Sequence, residues 1–281
     1  MAYGLAKPPR PVPPSAAGDI LRMAHEQGMR VIDTAPAYGG SEEMIGRMLP
    51  EGHRFQIVTK TLAVRSDTIT KDDARRLRQT VLHSMSALKQ TALHGLLVHQ
   101  ADDLLAENGS YLMEEMLRLR QDGLVRKIGA SVYTAEQIDR ILNRYQIDLI
   151  QIPLSVFDQR LLRSGHIKRL KELTIEIHAR SVFLQGALLL PPDKLPPHFA
   201  AAGKLIQQYH RAVQEADVSL SAAALNFVSQ IPEIDCILIG VNSVQELQEN
   251  IATFRCDVAL PYDRFAIDDE VIVNPSLWPP S

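Results

Sequence analysis

The stretch RVIDTAPAYGGSEEMIG, residues 30–46, decides how the whole chain is read. Its opening, RVIDTA, has the apolar character of a buried strand, yet the carboxylate of Asp33 stands where the apolar run should finish. A phenol, Tyr38, follows in the next loop. Taken alone, a strand-end Asp is ordinarily a turn or cap residue, and a Tyr after it ordinarily packs. The reading therefore turns on what other chemistry the chain brings to the same end of the same sheet.

Working outward, further short apolar runs recur: FQIVTKT (55–61), HGLLVHQ (94–100), RKIGASVY (126–133), DLIQIPLS (148–155), TIEIHARSVF (174–183) and CILIGV (236–241). They are rich in Ile, Val and Leu, as strands buried on both faces of a parallel sheet require. Amphipathic segments lie between them. In KDDARRLRQTVLHSMSALKQ (71–90), Ala74, Leu77, Val81, Leu82, Met85 and Leu88 recur at helical spacing. Thr134 with Gln137 and Ser243 with Glu246 have the form of capping boxes, each opening a helix directly after a strand. Repeated strand then helix means parallel β/α units.

The fold class predicted is α/β, a (β/α)8 TIM barrel of which about seven strands are visible. A helix is expected over residues 15–27, and the strand that should precede it would lie before Met1. Either the recorded chain starts late or the barrel is closed some other way. No shift in composition marks a boundary, so residues 1–281 are expected to form a single barrel domain.

At 281 residues, 46% hydrophobic and 22% charged, the chain can bury a substantial core. A formal charge of −3 provides no basic field for nucleic acid or anionic lipid, so a small-molecule partner is expected. Cys236 and Cys256 are the two cysteines, without close metal-ligand spacing, so neither a disulfide framework nor a metal site is suggested. The start MAYGLAKPPRPVPP lacks a signal-peptide core and no run has the length of a membrane span, so a cytoplasmic protein is expected. Oligomeric state is not readable.

In a parallel barrel the carboxyl ends of the strands line the active face. By that rule Asp33 and Tyr38, Lys60 and His99 arrive at one rim from three consecutive strands. An ammonium beside a phenol favours the phenolate, and a carboxylate beside the ammonium offsets the cost of burying it. An imidazole at the same rim can orient a carbonyl oxygen. The combination points to carbonyl reduction, or to alcohol oxidation in reverse.

These residues and their contexts, DTA..YG.SE, TK and VH, resemble the aldo-keto reductase family, and the similarity extends through GLVRKIGASVY, DLIQIPLS, HARSVFLQG and ILIGVNSVQELQEN. The resemblance implies a catalytic tetrad of Asp33, Tyr38, Lys60 and His99, and NADP or NAD bound across the carboxyl face. For the cofactor it implies Ser131, Gln151 and Arg180 near the nicotinamide, and Gly240, Asn242, Ser243 and Asn250 toward the adenosine end. Val132 stands where the family commonly has Asn, and Glu246 where it commonly has a basic residue, which tilts the expectation toward NADH. MAYGLA, IGASVY, HARSVFLQGALLL and NPSLW are most similar to bacterial members linked with sugar and surface-polysaccharide metabolism. Such members usually carry a strand before the segment that opens this chain, and a chain lacking it is expected to be less stable and less active.

The function expected is NAD(P)H-dependent reduction of an aldehyde or ketone, sugar-derived carbonyls included, with Tyr38 as proton donor. Two alternatives stay open: a sugar dehydrogenase working in the oxidative direction, and a catalytically impaired regulatory or scaffold barrel. The segment LLPPDKLPPHFAAAGK (189–204) and the C-terminal tail are expected to wall the pocket, with Trp278 either closing over substrate or packed. His178, beside Glu176, is expected to be structural.

Overall fold

The computed structural model describes residues 12–254 and 258–278. MAYGLA and Cys256 lie outside them. The strands are β1 (Val31–Asp33), β2 (Gln56–Lys60), β3 (Leu93–Val98), β4 (Val125–Ser131), β5 (Leu149–Pro153), β6 (Glu176–Arg180) and β7 (Cys236–Ile237). They form one sheet in the order β1 to β7, every neighbouring pair parallel. Helices alternate with them: α1 (Pro14–Glu26), α2 (Ser41–Met48), α3 (Lys71–Ala87), α4 (Asp102–Leu105), α5 (Ser110–Gln121), α6 (Ala135–Leu142), α7 (Arg160–Arg163), α8 (His166–Glu172), α9 (Gly203–Glu215), α10 (Leu220–Ser229), α11 (Val244–Phe254) and α12 (Glu270–Val273). This is a nearly closed (β/α)8 barrel in which, among the described residues, β1 and β7 stand as the two edges.

Period-two burial explains the shape. Val58, Leu97 and Leu149, with Val31 against them, make a small apolar cluster of their own. Their chain neighbours Ile57, Leu96 and Ile150 instead belong to the large core shared with the helices. Both faces of the inner strands are thus largely buried, which is why their runs read as continuous apolar segments, while the edge strands β1 and β7 are half-buried. Gly129 makes the inner cluster fit: a Cβ there would lie 1.6 Å from the Leu149 carbonyl oxygen and 3.4 Å from Leu97 Cδ2.

Several expectations are corrected in detail. The run CILIGV yields only the two-residue β7, although Asp235 N–H and Leu238 N–H still bond the Ile177 and Ala179 carbonyls at 3.0 and 2.8 Å. It pairs on one side alone, so the ladder ends early. Leu82, placed on the apolar stripe of α3 by spacing, is 45% exposed, because the buried face runs through Leu77, Val81 and Met85.

The two expected capping boxes form their first half: Thr134 Oγ1 accepts from Gln137 N–H at 3.2 Å, and Ser243 Oγ from Glu246 N–H at 3.1 Å. In both, the returning side chain accepts one residue earlier than the cap, from Tyr133 N–H and Asn242 N–H, each at 2.8 Å. The reciprocal box is found at Thr70 and Asp73, opening α3. Among the described residues no helix is long and apolar enough to cross a membrane.

Candidate active site

Lys60 closes β2 and is 1% exposed, a position no ammonium holds without partners. Its Nζ donates to Asp33 Oδ2, at the end of β1, over 2.6 Å, and to the Thr34 carbonyl oxygen over 3.1 Å. The other carboxylate oxygen of Asp33 accepts from Gln151 Nε2, on β5, at 2.8 Å. Asp33 is therefore gripped from two sides, and the opening question has its answer: the strand ends in a carboxylate that holds a buried ammonium.

Tyr38 closes the short 3-10 turn Pro36–Tyr38 that follows β1. Its ring centroid is 5.0 Å from Lys60 Nζ and 5.7 Å from the His99 ring, which meets it edge-on at 81°. His99 directly follows β3, with its backbone N–H donating to Thr61 Oγ1 at 3.3 Å. Burial, reinforced by the charge of Lys60, lowers its pKa from 6.5 to about 4. It is a neutral imidazole near pH 7. The structure thus brings all four predicted residues to one rim.

The segment behind the rim is also tied. Glu42, on α2 and 3% exposed, accepts from Thr59 Oγ1 at 2.6 Å and from Ser84 Oγ at 2.9 Å. Thr34 Oγ1 and Ser41 Oγ lie 2.9 Å apart. Sequence reasoning missed this support, although its signal was present: a Glu on the helix face that the apolar residues also occupy is buried only with partners.

Ser131 ends β4, buried, in register with Gln151. Arg180 ends β6, where its Nη2 donates to the Val132 carbonyl oxygen at 2.9 Å, its Nη1 to Ser181 Oγ at 3.2 Å, and its guanidinium carbon sits 4.1 Å from the Tyr133 ring centroid. Tyr133 as its platform was not foreseen. Gly240, Asn242, Ser243 and Asn250 lie on a different segment, after β7 and along α11.

The fit to a nicotinamide dinucleotide can be tested on these residues. Arg180 Nε is buried with no partner among the described residues, and a Cβ at Gly240 would meet nothing within 4 Å. One end of the rim has an unmet donor and the other has open backbone beside a helix N-terminus, where anions are favoured. The residues present fit the group.

A second polar cluster sits at the opposite, amino-terminal end of the strands. Glu176, first residue of β6, accepts from His178 Nε2 at 2.6 Å and from His94 Nε2 at 3.3 Å, and pairs with Lys127 Nζ. The hydrogen bond from His178 above all, then that from His94, holds the Glu176 carboxyl well below its ordinary range. His178 is fully buried and structural, as expected. Trp278 is packed: its ring centroid lies 5.0 Å from His198 and 5.4 Å from Phe199, and Nε1 donates to the Ile272 carbonyl oxygen at 3.2 Å. In the 189–204 segment, Phe199 and Ala202 face the core.

The architecture and the rim define the class, a parallel β/α-barrel protein with an Asp, Tyr, Lys and His cluster at the carboxyl ends of its strands. The same fold occurs in an aldo-keto reductase of Bacillus halodurans, with a TM-score of 0.72 and 19% identity, covering 94% of this chain and 87% of that one. The model of the Aldo/keto reductase family matches residues 1–272, and the chain belongs to that family. It is an NAD(P)-dependent oxidoreductase. Among curated relatives, an aldo-keto reductase of Bacillus subtilis (strain 168) is 32% identical over 154 residues, 52% of this chain and 46% of that protein. The L-galactose dehydrogenase of Arabidopsis thaliana is 24% identical over 287 residues, 96% of this chain and 88% of that protein.

Proposed function

We propose that the chain reduces an aldehyde or ketone to an alcohol with Tyr38 as the proton donor, residues 1–281 acting as one barrel domain. The observation that carries this reading is the buried Lys60, bonded to Asp33 at 2.6 Å and standing 5.0 Å from the Tyr38 ring. The nicotinamide, when bound, supplies the hydride. Tyr38 gives its hydroxyl proton to the oxygen of the substrate as negative charge develops there, and the Lys60 ammonium stabilises the phenolate left behind. Asp33 fixes that ammonium, and Gln151 fixes Asp33. His99, neutral near pH 7, donates a hydrogen bond to the substrate oxygen and orients it.

Ser131, Gln151 and Arg180 are assigned to the nicotinamide end, and Gly240, Asn242, Ser243 and Asn250 to the adenosine end. The Glu246 carboxylate, bonded to Asn242 N–H at 2.8 Å, puts negative charge where a 2′-phosphate would lie and favours NADH over NADPH. The dehydrogenase name of the Arabidopsis relative supports a second direction, oxidation of a sugar by the same residues.

The test pairs binding with turnover. NADH and NADPH are titrated separately into the wild type and Tyr38→Phe, and aldehyde reduction is followed in both. Saturable binding in both proteins with turnover only in the wild type supports the reading; equal turnover removes Tyr38 from the chemistry. A Tyr38→Phe protein that binds cofactor like a wild type that never turns over would favour the scaffold alternative.

A further inference from the structure

Arg180 brings to the rim a charge that no other described residue balances. It closes β6 and is half-buried. Both of its hydrogen-bond acceptors are neutral, the Val132 carbonyl oxygen and Ser181 Oγ, and its Nε is buried with no partner among the described residues. No carboxylate pairs with it among those residues. The other cations near the rim differ. Asp33 meets the Lys60 ammonium at 2.6 Å, so that pair adds no net charge. Arg65, whose charge also reaches the His99 ring, is exposed on a loop that Asp103 anchors through the N–H groups of Val64 and Arg65, each at 2.9 Å, and water screens it.

The guanidinium is fixed rather than free to swing into water. Two of its nitrogens are bonded, at 2.9 and 3.2 Å, and its central carbon rests 4.1 Å from the Tyr133 ring centroid. A planar cation on an aromatic face keeps its charge and gains an orientation. Ser181, which accepts one of the two bonds, has a φ of 61°, a left-handed conformation that serine ordinarily avoids.

This fixed charge stands beside the reacting atoms. Gln151, on β5, reaches across the barrel mouth to Asp33, on β1, at 2.8 Å, and Arg180 is in register with Pro153, two residues past Gln151. His99, on β3, feels the guanidinium as well. A nicotinamide ring that serves a carbonyl held by Tyr38 and His99 lies inside the same arc of strand ends. That ring is neutral when reduced and carries one positive charge when oxidised. An unbalanced cation next to it therefore repels the oxidised form alone.

We infer that Arg180, fixed against Tyr133, makes the site discriminate between the two redox states of its cofactor, holding the reduced dinucleotide and expelling the oxidised one. The inference rests on the proposed cofactor site, but its test does not depend on turnover. The site fills with the reduced form even where the oxidised form is in excess. By linkage, hydride transfer within the complex is less favourable by the same factor, so departure of the oxidised form draws reduction forward. Oxidation of an alcohol must instead begin by loading the disfavoured form.

Dissociation constants for NADH, NAD⁺ and ADP-ribose, which has no nicotinamide, are measured by calorimetry, with NADPH and NADP⁺ in parallel. The proteins are the wild type, the neutral variants Arg180→Gln and Arg180→Met, and Arg180→Lys, each checked for fold by circular dichroism. The wild type should bind the reduced form at least tenfold more tightly than the oxidised form. Either neutral variant should bring that ratio to within about threefold of unity and leave ADP-ribose binding within twofold, whereas Arg180→Lys should keep most of the ratio. A wild type that binds both forms equally overturns the inference whatever the variants do. So does a ratio that the neutral variants leave unchanged, or one that Arg180→Lys loses as they do. ADP-ribose affinity falling in step with NADH affinity also overturns it, since the arginine then serves the pyrophosphate. A wild type that binds no dinucleotide removes the inference and the proposed function together. One that shows the ratio, loses it in the neutral variants and never turns over counts against the Tyr38 chemistry alone.

Discussion

The barrel holds two ionic clusters at opposite ends of the same strands, and they are built differently. At the amino-terminal end Glu176 is surrounded by His178, His94 and Lys127, and every contact is between those groups. At the carboxyl end Asp33 and Lys60 bond one another and Gln151, and a phenol and a neutral imidazole stand next to them. The first arrangement turns its charged groups on one another and leaves His178 Nδ1 buried without a partner among the described residues. The second keeps groups at the rim whose proton and hydrogen bond can go to another molecule. Chemically similar residues in buried strands thus bond one another at one end and, under the proposed function, serve reaction at the other, according to which end of a parallel strand carries them.

Mutation should separate the two clusters, and the largest effect is expected at the rim. Tyr38→Phe removes the hydroxyl proton and keeps the ring, so kcat should fall by about 10²–10⁴ while the thermal unfolding midpoint changes little. A large drop in the midpoint would erase the distinction. Next, Glu176→Gln leaves Lys127, the buried His178 and the partly buried His94 without their carboxylate, and should cost roughly 2–3 kcal/mol in denaturant unfolding. Turnover per folded molecule should stay within about twofold, and a collapse of kcat would connect the lower cluster to catalysis.

Gln151→Leu sharpens the comparison within the rim. It removes one charge-assisted hydrogen bond to Asp33, worth about 1.5 kcal/mol, so kcat/KM should fall about tenfold. The smallest effects are those of pH. Because the Glu176 pKa is depressed in the folded chain, its contribution is complete above its ordinary value of 4.5 and is lost as pH falls below it. Glu176→Gln should flatten that acid limb. His99 acts in a neighbouring window: unfolded it takes a proton near 6.5, folded only near 4, so stability declines as pH drops from 6.5 to 4. For the same reason kcat/KM should show no inflection near 6.5 from His99, and one that disappears in His99→Asn would contradict a neutral imidazole.

Several of these features were legible before any coordinates. Asp33, Lys60 and His99 could be placed at one rim because parallel strands share a direction, so the last residue of each run has one destination. The Thr134 and Ser243 caps were readable since they join residues three apart, although the returning side chains shifted by one. Leu82 was misread because a stripe drawn from spacing is wider than the face that the neighbouring helices cover.

By itself, then, the sequence determined the parallel β/α class and the gathering of Asp33, Tyr38, Lys60 and His99 at one rim, both of which follow from local periodicity and chain direction. Only the tertiary structure decided that Gln151 grips Asp33 across 118 positions, that Glu42 ties α2 to β2 and α3, and that Asp103 bends the loop presenting Arg65. Those contacts join groups far apart in the chain. They are fixed by the requirement that each buried polar group find a partner in three dimensions, which no local pattern encodes.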